Sequence, residues 1–495
     1  MKMWLLQLWD FLEDNERMKK HQNQLFLMIL CIYVIGLIAL FIEGFSIKYY
    51  HNEYWFIYGT YIFCGIFFLY MTFARGAYLY EPIVLIGILF FMTYSVAPLI
   101  NIRLEYADCR GFDVMGGCYK ATIIYIFSFM ALLLGYYGRV SRKTIESPEE
   151  VMEWGAKETE DFHYYSLTTI ILAISYFWWI IGFLFFVIYF KNAGFSLHYV
   201  LTLGMSGEAN TDAAVSGTLD FLYNFRFGMV AAVFYLFRYG KHKTLYTLMY
   251  IIGFIMFMAY GYRNMLVEMI VAPLIFLASV NRKPPKISTI IKLCGSIIIM
   301  IAVVEMFRSS VRQGLGANTV DWSQFNFMTI YSAFQGNFDL YKTFYGIVTF
   351  MPFEHDYTWG QQLIWMTVTF LIPRAFWPGK PTSILDSLMP QIVGPIAVRG
   401  HMAMGTLAEY YGEFGIVGCI FGCYILGRVT SYTKSWYQGI HRTEDSMIAY
   451  AILYPMFMLL AVRGYMPLNY MHIQFLEIPV MSVAFIKHSN IAKSH

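Results

Sequence analysis

YSLTTIILAISYFWWIIGFLFFVIYF, residues 165–190, runs for 26 positions without a charged side chain. At about 1.5 Å of rise per residue, a helix of that length crosses a hydrocarbon core of roughly 30 Å with some tilt. Apolar runs near spanning length also occur at 25–43, 54–73, 82–100, 121–137, 219–237, 244–261, 264–280, 287–306, 404–427, 446–462 and 471–486. With the first run, these predict twelve spans. The composition agrees: 58% of the 495 residues are hydrophobic and 14% charged, against about 25% charged in an ordinary soluble domain. So few polar groups cannot coat a globule, and lipid must solvate the chain. The net charge of +3 is spread out, with no Lys/Arg block of the kind that tracks nucleic acid.

Loop charge sets the orientation. Segments assigned to one side carry 20 Lys and Arg, whereas the short loops of the other side (44–53, 101–120, 191–218, 262–263 and 463–470) carry seven. Both termini of this inner-membrane protein are therefore expected in the cytoplasm. Residues 1–24 place Trp4, Leu5, Leu8, Trp9 and Leu12 ahead of a charged run, without a small-residue cleavage site. This segment is not a cleavable signal; it reads either as an interfacial helix on the cytoplasmic surface or as a frayed tail.

The division expected from these runs is a cytoplasmic segment 1–24, spans one to nine over 25–306, an outer region 307–403, spans ten to twelve over 404–486, and a cytoplasmic tail 487–495. The outer region is too long for a turn and too apolar for a disordered linker. Within it, QQLIWMTVTFLI (361–372) suits a re-entrant or interfacial segment, and 325–350, interrupted by Gln335, Asn337, Asp339 and Lys342, is expected along the membrane surface. Of seven cysteines, five sit in apolar segments as small hydrophobes. Cys109 and Cys118 share a polar outer loop, where a disulfide is expected; the alternative is two separate thiols. No third ligand cluster lies near enough to suggest zinc.

Cations on the outer side run against the charge bias and need a reason. Arg308, Arg312, Lys342, Arg374, Lys380 and Arg399 lie in the large outer loop, joined by Arg263 and Arg463 from hairpins. Guanidinium groups converging on one membrane face make an anion site, because each offers a planar fork to phosphate oxygens and keeps its charge when partly desolvated. Each alone is explained equally well by snorkelling to lipid headgroups. The set is less so, since Arg308 and Arg312 share a helical face at i, i+4.

IPRAFWPGKP (372–381) and GTLAEYYGEFG (405–415), with a Gly-rich final group of spans, resemble the bacterial oligosaccharide repeat-unit polymerases, the Wzy-type enzymes of O-antigen and capsule synthesis. The specific part covers roughly 40 residues; elsewhere the likeness is one of span number and layout. The resemblance implies an all-α polytopic membrane protein, GT-C-like, of about twelve transmembrane helices with a large outer loop between spans nine and ten. It implies that an undecaprenyl-diphosphate-linked oligosaccharide, already on the outer face, is transferred as a block to another lipid-linked unit. Both donor and acceptor are then lipid-linked glycans, no cofactor is needed, and a chain-length regulator is a possible partner. The leaving diphosphate needs preorganised positive charge. Arg374 is the first candidate, followed by Arg312 and Arg263, with Arg308, Lys380 and Arg399 as wider candidates for diphosphate binding.

The acceptor hydroxyl loses a proton during attack, so a base is expected near these cations. Glu409 lies where GTLAEYYGEFG enters the membrane, a position costly for a carboxylate unless it is paired or used in chemistry; a purely structural ion pair explains it as well. His401 has a suitable titration range, although a lone loop histidine is more often a surface residue. Glu354-His355-Asp356 is a weak metal signal, Asp-x-Asp is absent from the sequence, and no metal is expected. Walker and GxSxG motifs are absent. Most aromatic side chains must face lipid or form interface belts; Trp322, Trp377, Tyr410 and Tyr411 are those placed near glycan. A ligase moving finished polymer would share this layout. A transporter would instead show related halves and charges in mid-span, and a membrane acyltransferase a central buried histidine, which the apolar runs do not show.

Overall fold

A computed structural model describes residues 23–74 apart from 25, 81–109, 113–138, 164–192, 223–260, 263–281, scattered positions from 288 to 302, 338–369, 372, 376, 377, 379, 404–438, 443–464 and 466–491. The described residues form helices and no strand, as lipid demands of a chain that must satisfy its own backbone. In order they are α1 (Phe26–Gly44), α2 (His51–Ala74), α3 (Pro82–Arg103), α4 (Cys118–Tyr137), α5 (Tyr164–Asn192) and α6 (Gly228–Tyr239). They continue as α7 (Lys243–Tyr260), α8 (Arg263–Asn281), α9 (Leu340–Phe350), α10 (Thr406–Gln438), α11 (Glu444–Val462) and α12 (Met466–Ile491). Seven helices, α1 to α5, α10 and α11, are long and apolar enough to cross a membrane. The remaining predicted spans fall on shorter or less apolar helices or, at 287–306, largely outside the described residues, so the number twelve and the GT-C-like layout rest on the sequence. The N-terminal segment 1–22 also lies outside them.

Two cores divide the molecule. One joins α1 to α4 with α9, α10 and the last turns of α11; the other joins α5 to α8 with α11 and α12. Helix α11 is buried on nearly every side because it serves both: Leu453, Phe457 and Leu460 face the first core, Ile448, Ile452 and Met456 the second. Lipid takes the outward residues, such as Ile32, Ile35 and Ile42 of α1, which are exposed.

The tyrosine richness has a structural use where water is absent, since each buried phenol needs a partner. In the α1–α2 hairpin, Tyr54 donates to the Leu40 carbonyl (2.7 Å), Tyr58 to Leu37 (3.0 Å) and Tyr61 to Tyr33 (3.2 Å), while Tyr33 donates back to Ile62 (3.0 Å). Backbone carbonyls have a second lone pair free inside a helix, so these bonds cost the helices nothing.

Two expectations are corrected. Residues 325–350 do not lie wholly along the membrane surface: α9 is inserted between α3, α4 and α10, with Tyr341, Phe344, Tyr345 and Ile347 buried. Its polar residues are satisfied there, Lys342 by Asp339 (3.1 Å) and Asp339 by Asn101 (2.7 Å). Cys109 and Cys118 are buried and are not joined in a disulfide; the Cys118 thiol is turned to the hydroxyls of Thr122 and Tyr345. Helix α10, which carries the expected span 404–427, breaks at Gly415, where φ is +64°. An L side chain is strained in that region, and a Cβ at this position would also meet the Tyr357 ring at 2.9 Å.

Beyond the break, α10 runs against α4 with backbone nearly touching backbone. A Cβ on Gly427 would lie 2.2 Å from the Leu132 carbonyl oxygen, and one on Gly135 2.3 Å from that of Tyr424. Gly427→Ala must therefore push two helices apart, at about 1–3 kcal/mol. Thermal unfolding of the purified protein in detergent is expected to show a clear fall in Tm; unchanged Tm in both Gly427→Ala and Gly135→Ala contradicts this packing.

Candidate active site

The break at Gly415 leaves the first two turns of α10 as a separate short helix, and its start is stitched to the α11–α12 turn. The Gly464 N–H donates to the Met404 carbonyl (2.7 Å), Gly405 and Arg463 form an antiparallel bridge, and the Thr406 hydroxyl donates to the Leu460 carbonyl (2.9 Å). Both glycines are needed for this approach: a Cβ on Gly464 would lie 3.0 Å from the Gly405 carbonyl and 3.2 Å from a Glu409 carboxylate oxygen. Asn469 closes the turn by donating to the Arg463 carbonyl (3.1 Å).

Two carboxylates on this short helix are buried. Glu409 lies in the first turn, where the helix dipole favours negative charge, and its Oε1 accepts the first N–H of α12, from Met466 (2.9 Å). One turn on, Glu413 accepts from the N–H groups of Gly360 (2.8 Å) and Leu363 (3.1 Å). These are otherwise unpaired donors at the start of the helical segment Gln361–Met366. The backbone joins in: Thr358 N–H donates to the Gly412 carbonyl (3.1 Å) and Trp359 N–H to that of Glu413 (2.9 Å). Tyr411 donates to the Met351 carbonyl (3.2 Å) and receives a hydrogen bond from Tyr357 (3.4 Å). Burial, and then the bond to Tyr411, push the Tyr357 phenol up to about 12, so it stays a donor at neutral pH. The Lys120 ammonium stands 5.4 Å from the Tyr411 ring and 5.6 Å from that of Phe353.

Of the residues singled out in the sequence, Glu409 sits at the centre of this arrangement. Trp377 is half-buried and meets Trp365, in the segment that Glu413 anchors, edge-on at 6.2 Å. Tyr410 and Tyr411 are buried in the core rather than presented to solvent, the Tyr410 ring lying against Gly422. Arg263 opens α8. Arg308, Arg312, Trp322, Arg374, Lys380, Arg399 and His401 lie outside the described residues.

Arg226 is legible in the sequence as a cation inside the run 219–237, whereas Glu413 and the polar residues gathered with Arg226 in the other core were not singled out. Arg226 is buried with its guanidinium 5.1–5.8 Å from the Phe186, Tyr189 and Phe227 ring centres. His472, buried beside Arg226, meets the Phe227 ring in a tilted contact with centroids 4.5 Å apart. Below them Glu268 and Glu477 are neighbours from α8 and α12, and both Glu268 oxygens lack a hydrogen-bond partner among the described residues. At the far end Lys487 bonds Asp445 (2.8 Å), which also accepts from Tyr235 (2.9 Å). The available signal was a carboxylate inside each of the runs 264–280 and 471–486 and a histidine at the edge of the latter.

Residues 26–489 match the family model described as O-antigen polysaccharide polymerase Wzy. No curated protein and no solved structure matches the chain.

Removing the Glu413 carboxylate leaves two backbone donors without their partner, at about 1–3 kcal/mol each. Glu413→Ala is expected to lower Tm sharply and to open 351–366 to limited proteolysis, with Glu413→Gln, which keeps one acceptor oxygen, intermediate. Equal stability of all three proteins contradicts the anchoring role.

Proposed function

The chain belongs to the O-antigen polysaccharide polymerase Wzy family, and from that premise we propose that it joins undecaprenyl-diphosphate-linked oligosaccharide repeat units on the extracytoplasmic face of the bacterial inner membrane, with both termini in the cytoplasm. The observation that carries this reading is the family match over nearly the whole chain. The buried carboxylate at the head of α10, one turn before the one that anchors Gly360 and Leu363, supports it.

In the reaction an acceptor sugar hydroxyl attacks the anomeric carbon of the donor unit. The carbon–oxygen bond to the diphosphate breaks, and its electron pair leaves on the phosphate oxygen. Arg374, with Arg263, Arg308, Arg312, Lys380 and Arg399 as further candidates, neutralises that charge. Fixed donors aimed at developing charge act strongly in a water-poor site, because they need no reorganisation as the charge appears. Glu409 is the first candidate for the base, with His401 as the alternative; the proton leaves through it to water or to the departing diphosphate. Glu409 is held in place by the Met466 N–H, which donates to its Oε1. With guanidinium groups as the charge sink, the reaction needs no metal. A chain-length regulator acts alongside.

Purified protein given a synthetic diphospholipid-linked repeat unit is expected to produce a ladder of polymer, unchanged by chelator. Glu409→Gln keeps an acceptor for the Met466 N–H and so keeps the fold, while losing general-base action, worth about 10²–10⁴ in rate. Arg374→Ala is expected to fall by a similar factor. A ladder abolished by chelator overturns metal independence, and Glu409→Gln at full rate reduces Glu409 to a structural clamp.

A further inference from the structure

The turn at 357–360 is shaped in a way that packing alone does not account for. Trp359 has φ +51° and Gly360 φ +84°. Glycine enters that region freely, whereas a tryptophan there is strained, and strain persists only where the surroundings over-determine it. They do so here: the N–H groups of Thr358 and Trp359 are fixed to α10 carbonyls, and that of Gly360 to the Glu413 carboxylate. Such strain is ordinarily offset by burying the side chain, yet the Trp359 indole is 71% exposed. Tyr357 and Phe414 meet it edge-on, at 5.9 Å and 86° and at 6.5 Å and 71°. Edge contacts fix the plane of the ring and leave most of its surface open.

The surroundings separate this indole from the interfacial aromatics. Glu354, Asp356 and Gln361 are exposed polar residues on the same loop, and His355 and Thr358 are half-exposed. The next turn changes character, with Ile364, Trp365 and Val368 forming an exposed apolar row suited to lipid. Trp359 therefore stands on the aqueous side of that boundary. Its N–H is bound to Glu413, one helical turn or about 5.4 Å along the axis from Glu409, which puts the ring next to the candidate active site.

We propose that Trp359 is a glycan-stacking residue: its open face takes the apolar C–H face of a pyranose ring of the repeat unit, and the carboxylates of Glu354 and Asp356 accept hydrogen bonds from sugar hydroxyls. The proposal rests on the reading that lipid-linked glycan is handled on this face, and it names the residue that holds the sugar there. A flat, rigid aromatic surface suits this use, since it offers a large contact area at little loss of side-chain freedom. The strained turn keeps the indole outside the core, where a relaxed backbone would let it fold back against Tyr357 and Phe414.

The test uses the full chain in nanodiscs, with Trp359→Asn and Trp359→Phe. The probe is the producing strain's own repeat-unit oligosaccharide, released from its lipid by mild acid and followed by saturation-transfer NMR, beside polymerisation kinetics with the intact lipid-linked unit. Asparagine tolerates left-handed backbone, so Trp359→Asn is expected to keep or raise Tm. It is expected to weaken oligosaccharide binding by about tenfold, a difference equivalent to about 1.4 kcal/mol, and to raise KM in proportion with kcat nearly unchanged; Trp359→Phe keeps most of the binding. Wild-type affinity in Trp359→Asn overturns the proposal, as does a fall in its Tm that depends on the lipid of the disc, which marks a membrane anchor. Wild-type protein that binds the oligosaccharide through Trp359 but makes no ladder contradicts the polymerase reading and leaves the stacking residue standing.

Discussion

A carboxylate at the edge of a bilayer is stable only if the protein supplies its partners, and two such groups one turn apart organise this face of the molecule. Glu409 receives the N–H that opens α12, and Glu413 receives two that open the segment Gln361–Met366. A helix of two turns thereby holds three chain segments that are distant in sequence. It is free to do so because Gly415 breaks α10, so that its first part need not follow the direction of the spanning part. The close approach of α10 to α4 through Gly135 and Gly427 fixes the other end. Position of the site, strain in the Trp359 turn and burial of Tyr411 all follow from this arrangement.

The second core has a different electrostatic character. Arg226, His472, Glu268 and Glu477 are enclosed by α5, α6, α8 and α12 in surroundings that are otherwise aromatic and aliphatic. Ionisable groups at such depth are expensive. Aromatic faces around the Arg226 guanidinium offset part of that cost. At the opposite end Lys487, Asp445 and Tyr235 form a satisfied network of direct hydrogen bonds. Helix α11 binds the two cores into one unit by lending a face to each.

Membrane class and helical architecture were legible because length and hydrophobicity are properties of a linear string. Glu409 was legible for the same reason, as a charge at the mouth of an apolar run. Glu413 was not: its partners, Gly360 and Leu363, lie about 50 residues away, and a carboxylate that caps someone else's backbone leaves no local pattern. Helix α9 was misread because Asp339 and Lys342 looked like surface residues, whereas they satisfy each other and Asn101 inside the bundle. Tyr410 and Tyr411 looked like glycan platforms by type alone; Gly422 leaves room for the Tyr410 ring to lie against α10. Glu268 and Glu477 were hidden by the apolar average of their own runs. Trp359 was passed over because nothing in EHDYTWGQ announces a left-handed backbone.

Catalysis is expected at the membrane face bearing Glu409, not at the face bearing Arg238, Lys241 and Lys243. A diphospholipid analogue with a photoreactive group beside its outer phosphate, incorporated into nanodiscs with the intact protein, reports this directly by mass spectrometry of labelled peptides. Labelling concentrated in 355–415 and 460–470 is the predicted result. Labelling confined to 236–246 and 438–446, around the opposite ends of α6 and α11, would contradict the account.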